Sequence, residues 1–186
     1  MPLHELLHAA GCLLTGGSVQ RLEIQPVWGG ALLARVFPWV VSGGENAGRL
    51  SGFQPAGDLS YFVTVLLPHA VLAPAGAFVA RAAAKRSMPF LFGAGLLAAL
   101  QPVASVFGDF YEMGSIVVTA LARAAGAGWA VALRGDDLQE VIRVALRFGT
   151  SAAFTVTACG IALGMVLACG LLWISGGVVP RSSNAP

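Results

Sequence analysis

The sequence predicts a mainly α-helical, polytopic membrane protein, a bundle of about four to five membrane helices with a small β-hairpin after the first helix. Of its 186 residues, 56% are hydrophobic and only 11% are charged, whereas a soluble domain carries roughly 25% charged residues. Several apolar runs approach the ~20 residues that a helix needs to cross a bilayer. The net charge of +2 is small, and basic residues do not alternate with aromatic ones, so we expect no nucleic-acid partner.

The first predicted helix runs from about Leu3 to Leu14 and ends at the turn signal Thr15-Gly16-Gly17. It is too short to cross a hydrocarbon core of ~30 Å. We therefore expect either that this helix is half-inserted or that it begins upstream of Met1.

Residues 17–57 are predicted to form a hairpin and a loop at the membrane surface. Ser18–Pro26 shows a mixed pattern with a period of two residues, and Gly29–Pro38 contains residues that are compatible with a β-strand. Trp28-Gly29-Gly30 supplies a turn between these two segments. The glycine-rich stretch Ser42–Gly57 is expected to be a loop.

The longest apolar runs predict the remaining membrane helices. A cluster of three cations, Arg81, Lys85 and Arg86, follows the first of these runs and indicates a cytoplasmic loop by the positive-inside rule. We expect a multi-pass protein of the cell (inner) membrane. The predicted helices are Leu59–Ala84, Met88–Phe107, Phe110–Ala125 and Thr150–Ile174.

Residues 126–149 form the one polar interval of the second half. Asp136 and Asp137 begin a predicted helix that runs through Phe148, and Arg143 and Arg147 add positive charge to a partly apolar face. Such a helix is suited to lying on an anionic lipid bilayer. Residues 1–186 are otherwise expected to form a single membrane-embedded domain.

His4, Glu5 and His8 form the pattern HExxH at the start of the first helix. Residues four apart lie on one helix face, so two imidazoles can share a zinc ion. Zinc lowers the pKa of a bound water to about 7, and Glu5 is placed to accept the proton.

The three cysteines do not suggest disulfides. A ligand set of His4, His8 and Cys12 is conceivable, but three helical turns span ~12 Å and poorly suit one tetrahedral ion.

The stretch HELLHAAGCLLTGGSVQRLEIQPVWGG, residues 4–30, resembles the site-2 protease family of intramembrane zinc metallopeptidases. The resemblance lies in an HExxHA helix, a small-residue turn and a strand followed by Gly-Gly. It implies that His4 and His8 bind zinc, that Glu5 is the catalytic base, and that the substrate is a transmembrane protein. It also implies a third zinc ligand, an aspartate in a later membrane helix.

Asp109 is the best match for that aspartate. Gln101-Pro102 precedes it, as Asn-Pro does in the family, although Gly108 stands before the acid rather than after it. A site with two histidines also needs a third ligand and one open position. Among the acids, only Asp109 and Glu112 adjoin membrane-depth sequence in another helix, and Asp109 has the shorter reach. Glu112 could instead orient a histidine or replace Asp109 as the ligand.

Two further functions remain open from the sequence. One is a non-catalytic membrane scaffold of the same fold. The other is a small ion- or proton-coupled transporter that uses His69, Asp109 and Glu112 as a relay. His69, inside a predicted membrane helix, could also be a hydrogen-bonded core residue or join a metal site.

Overall fold

The computed structural model describes residues 2–44, 48–135 and 137–177 and is mainly helical, with one three-stranded sheet. The chain divides into two compact units, Met1–Pro68 and His69–Pro186. The mainly α-helical class predicted from composition is confirmed.

The first unit combines helix α1 with a small mixed sheet. β1 lies in the centre, parallel to β2 and antiparallel to β3. Its elements are α1 (Pro2–Leu14), β1 (Ser18–Ile24), a 3₁₀ turn (Pro26–Trp28), α2 (Gly30–Val36), β2 (Val40–Ser42), β3 (Gly48–Gln54) and the start of α3 (Asp58–Lys85).

The predicted hairpin is wrong in its second strand. Gly29–Pro38 contains helix α2 instead, and β1 pairs with β2 and β3. β3 lies in Ser42–Gly57, the stretch expected to be a loop. Alanine and leucine, which fill α2, are among the strongest helix formers. Gly29 precedes this helix as its N-cap, with a φ of 87°, a left-handed conformation that glycine adopts without steric cost.

A small apolar core joins α1 to the sheet. The buried side chains of Leu22, Ile24 and Val40 form its centre, and Leu6 of α1 packs against them with Leu50 of β3. Burial of such side chains contributes about 1.5–3 kcal/mol each. This packing fixes which face of α1 turns toward the sheet, and hence where the HExxH side chains point.

The second unit is helical throughout its described residues. Its elements after α3 are α4 (Pro89–Ala99), the short α5 (Gln101–Ala104), a π-helical turn (Val106–Phe110), α6 (Tyr111–Ala124), a 3₁₀ helix (Gly128–Leu133), α7 (Leu138–Phe148) and α8 (Ser151–Gly177). A core of Tyr111, Leu133, Val141, Ala145 and Ala153 joins α6, α7 and α8.

Glycines allow α6 and α8 to pack closely. A Cβ atom added to Gly114 of α6 would lie 2.0 Å from the carbonyl oxygen of Gly160, and one on Gly164 would lie 2.3 Å from that of Phe110. Only glycine therefore permits this backbone separation, as in many helix pairs of membrane proteins.

The predicted single helix Met88–Phe107 is broken into α4, α5 and the π-helical turn. Pro102 explains the interruption, because proline lacks an N–H and disfavours helical geometry in the residue before it. The break ends α4 at Ala99, and it leaves the residues before Asp109 in short, irregular turns rather than in a spanning helix.

Two helices among the described residues are long and apolar enough to cross a membrane. They are Asp58–Lys85 and Ser151–Gly176, and an 18-residue window within each has a mean hydropathy of 1.9 and 2.1, respectively. The helix predicted to follow Asp136 and Asp137 is present as α7, and the Asp137 side chain caps it by accepting from the N–H groups of Gln139 and Glu140. Asp136 lies outside the described residues.

Candidate metal centre

His4 and His8 lie one turn apart on α1, with their imidazole rings close together. The two Nε2 atoms are 2.9 Å apart, and the rings meet at 89°. Two zinc–nitrogen bonds of about 2.0–2.1 Å at a tetrahedral angle would place the nitrogens about 3.3 Å apart. The separation in α1 is close to that of two nitrogens bound to one ion.

The other nitrogen of the His8 ring is anchored to the first turns of α3. Nδ1 lies 2.8 Å from the carbonyl oxygen of Thr64. A carbonyl oxygen only accepts hydrogen bonds, so Nδ1 must carry the proton. A neutral His8 then presents the lone pair of Nε2 toward His4, whose Nε2–H donates to it. Metal-binding histidines generally donate their second ring N–H to a carbonyl or carboxylate in this way.

The anchor requires α1 to lie very close to α3 in the first unit. A Cβ added to Gly11 would lie 3.0 Å from both the Cα atom of Thr64 and the carbonyl oxygen of Val63. One turn further along, the hydroxyl groups of Thr15 and Ser60 share a 2.7 Å hydrogen bond. The small residue at position 11 thus sets the distance across which His8 reaches Thr64.

Glu5 is held by the edge of the sheet. Its Oε2 atom accepts from the backbone N–H of Leu50 in β3 at 3.2 Å. Leu50 pairs with Leu22, whose own N–H donates to Trp39. When two residues face each other across antiparallel strands, their N–H groups point in opposite directions. The Leu22 N–H points toward β2, away from β3. The Leu50 N–H therefore points outward from the sheet toward α1, where it fixes the carboxylate beside His4.

Cys12 shares a helix face with His8 but is directed elsewhere. Its Sγ atom donates to the carbonyl oxygens of Ser18, at 3.6 Å, and Gln54, at 3.7 Å. Burial raises the pKa of the Cys12 thiol, an effect that hydrogen bonds with Thr64 and Gln54 only partly offset. Zinc binds the thiolate form, so this environment disfavours the ligand set of His4, His8 and Cys12.

Asp109 lies in the π-helical turn that precedes α6. Gly108 interrupts the helical geometry there, with φ −113° and ψ −110°, and π-helical turns are frequent at functional sites. The Oδ2 atom of Asp109 is 2.7 Å from Nε2 of His69 in α3. The His69 side chain is fully buried, whereas that of Asp109 is 19% exposed. The carboxylate is therefore paired to a histidine rather than serving only to cap a helix.

Glu112, the other acid considered from the sequence, is buried in α6. Its backbone carbonyl accepts a 2.8 Å hydrogen bond from the Ser115 hydroxyl. The sequence did not reveal the roles of Thr64 and Leu50, because both act through backbone groups. A carbonyl or an amide is chemically alike at every residue, so no sequence pattern marks it.

Four side chains described above carry donor atoms that suit a metal ion: the imidazoles of His4, His8 and His69 and the carboxylate of Asp109. Nitrogen and carboxylate oxygen are ligands that zinc accepts.

A scan against protein-family models found no match, and searches of curated proteins and of solved structures also found none.

Proposed function

We propose that this chain is an intramembrane zinc-dependent endopeptidase, which hydrolyses a peptide bond of a membrane-embedded protein. One observation carries the proposal. His8 donates Nδ1–H to the Thr64 carbonyl while its Nε2 faces that of His4, 2.9 Å away. This pair supports the proposal, because the same two nitrogens could bind one ion once the proton between them is displaced, and Glu5 occupies the position of the base in HExxH.

We propose His4 and His8 as zinc ligands, and the resemblance of residues 4–30 to the site-2 protease family implies Asp109 as the third. Two nitrogens and one carboxylate oxygen leave a fourth position open, as catalytic zinc sites require. Bound zinc would supply Lewis acidity, lowering the pKa of a water molecule and polarising the carbonyl to be attacked.

The chain's own residues supply the proton transfers and the orientation. Glu5 accepts the proton of the attacking water and delivers it to the leaving amine. The Leu50 N–H orients the Glu5 carboxylate, and the Thr64 carbonyl orients the His8 ring. Because α3 and α8 are long and apolar enough to cross a membrane, we propose a multi-pass protein of the cell membrane, with α7 and its arginines at the lipid surface.

The metal content of the purified protein tests the ligand assignment. We expect about one zinc per chain by elemental analysis after expression in zinc-replete medium, and a large loss in His4→Ala, His8→Ala and Asp109→Asn. Asp137→Asn is the matched control, since asparagine also caps a helix. A wild-type protein without zinc would overturn the proposal, and unchanged zinc in Asp109→Asn would remove Asp109 from the ligands.

Cleavage is tested with the Glu5→Gln variant. The glutamine oxygen can still accept from Leu50, so the fold and the zinc should be retained while the base is lost. The probe is a transmembrane polypeptide with a helix-breaking Asn-Pro pair in its span, reconstituted with the protein in vesicles. Glu23→Gln, which alters an acid paired with Arg21 on β1, should cleave normally. Full activity in Glu5→Gln would exclude the mechanism.

A proton relay is the second candidate function, and the hydrogen bond between His69 and Asp109 favours it. It requires pH-dependent flux across vesicles that zinc chelators do not alter. A non-catalytic scaffold requires neither zinc-dependent cleavage nor flux. The zinc, cleavage and flux measurements together therefore separate all three functions.

A further inference from the structure

His69 of α3 contacts the side chain of Asp109, which lies in the π-helical turn before α6. Its Nε2 lies 2.7 Å from Oδ2 of Asp109, and its ring is fully buried. The ring also packs against Phe110, with centroids 4.6 Å apart. The His69 ring therefore contacts both Asp109 and the next residue in the chain, Phe110.

Asp109 benefits from such a contact because the backbone directly before it is irregular. It follows Gly108, where the helical geometry is interrupted, so a regular helix does not by itself dictate where the carboxylate points. A ligand must be held close to its productive geometry for a metal ion to bind tightly. A buried ring on α3 is a rigid support for this purpose.

The chemistry of Nε2 decides between two roles for His69. A nitrogen that binds a metal ion must offer a lone pair, whereas one that donates to a carboxylate must carry a proton. The same Nε2 cannot do both at once. A carboxylate, in contrast, has two oxygens, so Oδ2 can accept from His69 while coordination takes place through Oδ1.

We infer that His69 is a positioning residue, whose Nε2–H donates to Asp109 and orients the carboxylate as a metal ligand, and that it is not itself a ligand. The inference rests on the zinc site proposed above. Partners that hydrogen-bond to ligands typically account for a 10–100-fold change in metal affinity. The hydrogen bond from His69 to the Asp109 carboxylate would therefore raise the affinity of the protein for zinc.

Zinc affinity, measured by competition with a chromophoric chelator, tests the inference in His69→Leu and His69→Gln. The glutamine amide can place an N–H near the position of Nε2, whereas leucine has no donor. We expect His69→Leu to bind zinc roughly 10–100-fold more weakly but still to reach one zinc per chain at saturation. His69→Gln should recover most of the affinity.

The visible absorption of the Co²⁺-substituted protein supplies a readout that a change in folding alone would not mimic. If His69 only positions Asp109, the band positions in His69→Gln should match those of the wild type, because the ligands are unchanged. A shifted spectrum with affinity as low as that of His69→Leu would make His69 a ligand and overturn the inference. If His69→Leu does not fold, the glutamine variant alone decides the question.

The outcomes also separate this inference from the proposed function. A wild-type protein that binds no zinc overturns both. A protein that binds zinc without cleaving the probe overturns the peptidase, while the affinities of the His69 variants still decide the role of His69. Equal affinity in wild type and His69→Leu overturns only the positioning role.

Discussion

His8 and Thr64 are joined by a 2.8 Å hydrogen bond from Nδ1 of the imidazole to the backbone carbonyl. The bond selects one tautomer of His8 and turns its Nε2 atom toward His4. The orientation of the second histidine in the HExxH pattern therefore depends on a backbone carbonyl, which the side-chain pattern in the sequence does not show. The distance between α1 and α3 in the first unit decides whether this bond can form.

Gly11→Val should weaken both folding and metal binding. The new Cβ would meet the Thr64 and Val63 backbones at 3.0 Å, so α1 must move away and lengthen the bond from His8 to Thr64. Overpacking of this kind typically costs about 1–3 kcal/mol. Thermal unfolding and zinc affinity measure the two effects. Leu14→Val, at an exposed position of the same helix, is the control, and equal behaviour of the two variants would contradict the prediction.

Gly164→Ala should destabilise the second unit, whereas Gly170→Ala in the same helix should not. A Cβ at position 164 would collide with the carbonyl of Phe110, while one at position 170 meets nothing within 4 Å. In the second case the alanine gains roughly 0.5–1 kcal/mol of helix preference. Because Phe110 adjoins Asp109, we also expect weaker zinc binding in Gly164→Ala. Denaturant titration of the detergent-solubilised protein compares the pair, and a reversed order of stability would refute close packing of α6 on α8.

Zinc removal should lower the unfolding temperature of the wild type. A ligand that binds only the folded state stabilises it by about 2.7 kcal/mol at a free concentration 100 times its Kd. We expect a chelator to lower the unfolding temperature and added zinc to restore it. His8→Ala should respond to neither addition. An equal shift in that variant would mean that zinc acts at another place on the chain.

Cys12 should resist alkylation in the folded protein. Its side chain is fully buried, and burial raises the pKa of its thiol, so the reactive thiolate is less populated than in the unfolded chain. Iodoacetamide labelling at pH 8, followed by mass spectrometry of the peptide, should show much slower modification before denaturation than after it. Fast labelling of the folded protein would instead indicate an accessible thiolate, which could bind zinc.

The raised pKa of Cys12 also sets the direction of a pH effect on stability. The unfolded thiol, with an ordinary pKa, loses its proton at a lower pH than the folded one. The unfolded state therefore binds fewer protons above that pH, and stability falls as the pH rises. Cys12→Ala should remove this alkaline contribution, which unfolding measurements between pH 7 and 10 would reveal.

The sequence predicted the long helices more accurately than the short segments between them. α1, α3, α6 and α8 begin and end within a few residues of their predicted bounds, because apolar runs have few alternative structures. The exception is the predicted helix Met88–Phe107, which is interrupted at Pro102. Gly29–Pro38, predicted as a strand, contains helix α2, and Ser42–Gly57, predicted as a loop, contains strand β3. Such short segments have weak intrinsic preferences, and pairing with β1 decided which of them became strands.

The sequence by itself determined the mainly helical class, the two long apolar helices and the spacing that places His4 and His8 on one face of α1. These features follow from periodicity along a single chain segment, which is a local property. Only the tertiary structure decided that Thr64 orients His8, that Leu50 holds Glu5, and that His69 pairs with Asp109. Those contacts join residues that are 40 to 56 positions apart, and two of them use backbone groups that are chemically the same at every position. Their placement depends on helix packing and strand register, so it emerges only when the chain has folded.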